Sequence, residues 1–154
     1  MVSIVSINTA RLDDSGPIAR AADFMLLFML ADQADMVQFF KRDDQVLPVA
    51  TRKRKSWQMA EFEYCLADRW MNQYASMSDL CSESNIGRFS VDINGRTANF
   101  RFELNDSDAS SFATLIVLRS DIRPSDCEQI LCHYLNENVY CQNLRTINRS
   151  IACQ

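Results

Sequence analysis

The segment from Phe89 to Leu104 constrains the fold more than any other, because its polarity alternates with a period of two on either side of Asn94-Gly95. Successive strand side chains point to opposite faces, so Phe89, Val91 and Ile93 share a face, and so do Ala98, Phe100, Phe102 and Leu104. Asn-Gly suits a two-residue hairpin turn, which needs positive φ at both positions. A turn there pairs Val91 with Ala98 and Phe89 with Phe100, so the two apolar sets meet on one side of a hairpin over 88–104. The other side carries Asp92, Asn99, Arg101 and Glu103 and is expected to face water. Other elements must cover the apolar side.

Much of the remaining pattern is helical. Asp14-Ser15-Gly16-Pro17 supplies caps and a proline suited to a first turn, which predicts a helix from Pro17 to about Phe40. Its centre, Phe24 to Leu30, is apolar all round, as in a helix that is covered on several sides or used as an interface. Lys41 to Lys55 reads as a linker. Ser56 offers a cap for a second long helix reaching Tyr74 to Met77, with Met59, Phe62, Leu66, Trp70 and Met77 at helical spacing. Phe112 to Leu118 is an apolar run suited to a strand over 112–119. Ser125 and Glu128 form a capping box, followed by a helix over 126–138. Val2 and Ile4 alternate with serines in a short strand, and Tyr140 to Ile147 leaves room for a final one. The expected architecture is a single α+β domain over 1–154. Two long N-terminal helices pack on a small antiparallel sheet, made of hairpin 88–104 and strand 112–119, with a C-terminal helix 126–138.

Composition narrows the function by exclusion. Three glycines leave no Gly-rich phosphate loop and point to few strained turns. A net charge of −4 opposes a broad phosphate footprint, so nucleic acid is not the expected partner. The longest apolar run, Phe24 to Ala31, is far short of the roughly 20 residues that span a bilayer, so no membrane span is expected. The start has neither a basic region nor a long apolar stretch, and six cysteines without such a leader read as reduced thiols in a cytoplasmic protein.

Chemistry-bearing residues fail on spacing. His133 is the one histidine, and it adjoins Cys132 on a helix where neighbours point about 100° apart. A thiol–imidazole pair would have to draw on Cys65, Cys81, Cys141 or Cys153 instead. No C-x-x-C pair exists for zinc and no G-x-S-x-G for a serine hydrolase, while the acidic loop 105–108 lacks the glycine and Glu of an EF-hand. No catalytic residue, metal or cofactor is assigned.

Two features point to binding. Arg52, Lys53, Arg54 and Lys55 precede the expected second helix, where the helix dipole favours anions, so helix stability does not account for them. The apolar helix centre, with Phe24, Leu27 and Phe28, and seven methionines suggest a surface that adapts to another protein. In size, acidity and α+β outline the chain resembles the small secretion chaperones of bacterial type III systems, a resemblance that implies a dimeric, non-catalytic protein. Two consecutive helices would depart from that family's order. Phe100-Arg101-Phe102 with Asn105, followed by an apolar strand ending in Arg119, is similar to the amino-terminal domain of pilus-retraction ATPases, without the phosphate loop that ATP hydrolysis needs. The expected function is a non-enzymatic cytoplasmic protein-binding module working as a homodimer. The alternatives are a nucleic-acid-linked regulator using 52–55 and a thiol-dependent enzyme.

Overall fold

The structure is a computed structural model and describes residues 3–59, 61–78, 85–105 and 111–135. Its strands are β1 (Ser3–Ser6), β2 (Met36–Arg42), β3 (Gln45–Arg52), β4 (Lys55–Gln58), β5 (Phe62–Glu63), β6 (Ile86–Ile93), β7 (Arg96–Leu104) and β8 (Ala113–Ser120). Its helices are α1 (Thr9–Asp14), α2 (Pro17–Ala31), α3 (Ala67–Met77) and α4 (Pro124–Leu135). The strands form one mixed sheet in the order β1-β6-β7-β8-β2-β3-β4, with β5 also on β3. β1 runs parallel to β6, and every other pairing is antiparallel.

The hairpin matches its sequence reading. Val91 lies opposite Ala98 and Phe89 opposite Phe100, with Asn94 at φ 54° and Gly95 at φ 80° in the turn. Phe89 and Phe100 stack with centroids 5.2 Å apart.

The two long N-terminal helices on a small sheet are not what the chain forms. The first long helix, α2, stops at Ala31, and Gln33 turns the chain at φ 57°. Residues 36–42 then alternate, with Val37 and Phe39 fully buried, in a strand that the continuous run of apolar residues disguised as helix. The stretch expected to be a linker is β3, hairpinned to β2 across Asp43-Asp44 and to β4 across Lys53-Arg54. Pro48 sits within β3 without orphaning a partner. Its carbonyl accepts from Met59 N–H (2.8 Å), so its nitrogen faces the same side, into the gap between β4 and β5 where no ladder bond is needed.

Ser56 is not a helix cap. Trp57 and Phe62 lie in strands, and the second long helix begins only at Ala67. That start, after Leu66 with no side-chain cap, leaves no capping signal in the sequence. The helix still buries Trp70 and Met77, two of the side chains whose spacing suggested it, together with Met71 and Tyr74.

β8 fulfils the expected strand 112–119 and joins the two halves of the sheet, pairing with β7 on one side and β2 on the other. The last helix begins earlier than a Ser125–Glu128 box would place it. Arg123 caps it, its backbone N–H donating to Asp126 Oδ2 at 3.4 Å, with Pro124 as the first helical residue. Residues 136–138 of the expected helix, the final strand 140–147 and Val2 lie outside the described residues.

Burial alternates along β2, β3, β6 and β7, so one sheet face is covered and the other is not. α2 lies between α3 and α4, and α3 reaches β1 and β6. The core between helices and sheet contains Leu26, Leu27, Met29, Val37, Phe39, Phe89, Phe100, Phe102 and Leu115. α1 is tied on by polar contacts. Arg11 grips the buried Asp23 through Nε–Oδ2 at 2.8 Å and Nη2–Oδ1 at 3.3 Å, Arg20 Nε donates to the Leu12 carbonyl, and Tyr134 of α4 donates to the Thr9 carbonyl and Asp13.

Candidate interaction surfaces

The apolar centre of α2 is largely enclosed. Leu27 is fully buried, Phe24 and Phe28 are half-buried, and Phe24 meets the Tyr134 ring edge-on at 5.7 Å. An all-round apolar helix is what a position flanked by α3, α4 and the sheet requires.

The opposite face of the sheet is covered by no described helix. Register places Met36 opposite Ile116 and Phe40 opposite Leu47, with Val49 next to Leu47 on the same side of β3, and all five are half-buried. Ile4 and Ile86, two of the four large apolar side chains that stand exposed among the described residues, belong to this face by alternation, at 68% and 48% exposure. A third, Leu118, is the extra residue of a β-bulge where the β7–β8 register shifts. Two pairs of polar groups on the face engage each other. Arg101 Nε lies 2.9 Å from Glu103 Oε1, an ion pair whose angle does not align as a hydrogen bond, and Ser90 Oγ lies 2.7 Å from Asn99 Oδ1. The hairpin side expected to be wet is therefore only half so: Asn99 is exposed, while Asp92, Arg101 and Glu103 are half-buried.

Arg52, Lys53, Arg54 and Lys55 form the tip of the β3–β4 hairpin and line a cleft of about 550 Å3. All four are exposed. The reason given for them from sequence, an opposed helix dipole, lapses because no helix begins nearby. Among the described residues none of them has an acidic side chain within ion-pair distance. Asp35 does approach the turn, but its Oδ2 accepts from the Lys53 backbone N–H at 2.8 Å. Trp57, two residues from Lys55 and on the same face of β4, is 9% exposed and its indole N–H has no acceptor. Sequence alone singles out the four cations and gives no sign of the indole, whose lack of a partner depends on where the sheet ends.

Thiol chemistry gains nothing from the geometry. The exposed Cys65 thiol donates to Glu63 Oε2 at 3.4 Å, and that hydrogen bond, with some burial, pushes it above the ordinary thiol range. A nucleophilic thiol needs the opposite shift. His133 packs edge-on against Tyr134, 5.3 Å between centroids. Among the described residues no three of His, Cys, Asp and Glu converge as a metal site, and no helix is long and apolar enough to cross a membrane.

No protein-family model matches the chain, and no curated protein is significantly similar to it in sequence.

Proposed function

We propose that this chain is a non-enzymatic protein-binding module that acts as a homodimer in the cytoplasm, with the helix-free sheet face as its seam. The observation that carries the reading is the apolar row on that face: Met36, Phe40, Leu47, Val49 and Ile116, extended by Ile4 and Ile86. An exposed apolar patch rimmed by polar groups is the usual mark of a protein interface. The face spans five strands about 4.8 Å apart and six to eight residues of about 3.3 Å, roughly 500 Å2 in projection. Side-chain relief brings that toward the ~800 Å2 of accessible surface per partner that a specific interface uses. The proposed occupant is a second copy: the charged groups of the β6–β7 part of this face, Arg88, Asp92, Arg101 and Glu103, carry both signs, so the face can meet its own copy without like-charge repulsion. The strands between α2 and α3 also remove the succession of two long helices that set the chain apart from the small secretion chaperones. Free thiols at Cys65 and Cys132 accord with a reducing compartment.

Light scattering after gel filtration tests the seam. The native chain should elute as a dimer at micromolar concentration, and Met36→Lys with Ile116→Lys should yield a monomer whose melting temperature falls little. A native protein that is strictly monomeric and retains no protein partner from its own extract would refute the proposal.

A further inference from the structure

The β3–β4 hairpin tip breaks three local rules within six residues. Arg52 lies directly opposite Lys55, a like-charged cross-strand pair of the kind that destabilises a sheet. Lys53 takes the left-handed conformation at φ 56°, which favours glycine or asparagine, and the chain uses Asn94-Gly95 in its β6–β7 turn. The Trp57 indole N–H is buried with no acceptor. Alternation along the two paired strands puts Arg52, Lys55, Ala50 and Trp57 on one face, so the two cations that line the cleft and the unpaired donor share one side of the hairpin. None of these features helps the isolated chain fold. An anionic group bound at the tip would relieve the first by neutralising the facing cations, and would give the indole an acceptor where the tip opens to admit it; the left-handed turn at Lys53 holds the cations at the tip.

We infer that the tip formed by Arg52, Lys53, Arg54 and Lys55, with the Trp57 indole at its base, is a docking site for an acidic peptide segment of a partner protein. Carboxylates suit the site because they accept from both a guanidinium and an indole N–H. The whole chain carries a net charge of −4, and four cations at the end of one hairpin form a point of attachment instead of a track along a phosphate backbone. The site rests on the protein-binding reading only for its choice of peptide over nucleic acid. A monomeric chain that binds the peptide would leave the inference standing, and a dimer that does not would overturn it alone.

Fluorescence anisotropy of a labelled hexaglutamate peptide tests it, with hexathymidylate DNA and hexalysine as comparators. The native chain should bind hexaglutamate at low salt, more weakly as ionic strength approaches about 0.15 M. The variant Arg52→Gln, Lys53→Asn, Arg54→Gln, Lys55→Gln should bind at least about tenfold more weakly while melting at the same or a higher temperature, since like-charge repulsion and backbone strain are removed. Trp57→Phe, checked by melting for an intact fold, should lose several-fold at both salt concentrations. Failure of the native chain to bind, equal binding by the quadruple variant, or tighter binding of hexathymidylate would overturn the inference; an unchanged Trp57→Phe would remove the indole from it.

Discussion

Tyr74 shows how one side chain can fasten two helices. Its hydroxyl, fully buried, donates to the Ala22 carbonyl at 3.0 Å and accepts from the Trp70 indole N–H at 3.0 Å, and burial pushes its phenol far above the usual range. Tyr74→Phe leaves the Trp70 indole N–H without an acceptor, while the Ala22 carbonyl keeps its bond within α2, and is expected to cost about 1–3 kcal/mol in a urea titration, with the denaturant slope unchanged. Asp23 is the second such residue. Burial raises its carboxyl pKa, an effect that the Arg11 hydrogen bonds and charge offset only in part. A carboxyl raised on folding favours the folded state fully below its unfolded value of about 3.9, and that contribution is lost as pH rises through the raised folded value. The difference in urea midpoint between the native chain and Asp23→Asn should therefore change over that window and level off above it. Arg11→Met, which strands the carboxylate, should be the costlier change at neutral pH, by about 3–5 kcal/mol.

At the scale of elements, turns decide what can be read from sequence. The Phe89–Leu104 hairpin was legible because Asn94-Gly95 marks its turn and both flanks alternate. The strands β2, β3 and β4 were not, because their turns place Gln33, Asp43 and Lys53 in the left-handed region instead of glycine. A scarcity of glycine suggested few strained turns; the chain instead makes them with side chains, of which Gln33 and Lys53 tolerate the conformation poorly. Lys53→Gly should accordingly stabilise the fold by about 0.5–1 kcal/mol, a rise in urea midpoint, since the backbone N–H bonded to Asp35 is kept. A fall would show that the lysine side chain supports the turn. The cations at 52–55 stood out from the sequence alone, but their setting did not. What makes them a candidate site is their position at a hairpin tip beside an unpaired indole, and that follows from pairings between β3 and β4 that no local pattern announces.

The whole molecule is held together by contacts between distant parts of the chain. β2 and β8 pair Met36 with Ile116, about eighty residues apart, and this pairing alone joins the two halves of the sheet. Such a topology cannot be deduced from periodicity, which is why the sheet was expected to be small. It should also fold slowly: stopped-flow tryptophan fluorescence is expected to report refolding in milliseconds to seconds, and a microsecond phase carrying the full amplitude would contradict this pairing as the rate-limiting event. The strand lengths have a further consequence. The longer strands all lie inside the sheet, while the borders are formed by β1, by the four residues of β4 and by two residues of β5, with Pro48 holding the ladder open between the last two. A growing fibril needs a long, straight edge on which to template the next chain. Among the described residues the sheet presents only short, interrupted borders, which give such templating little to build on.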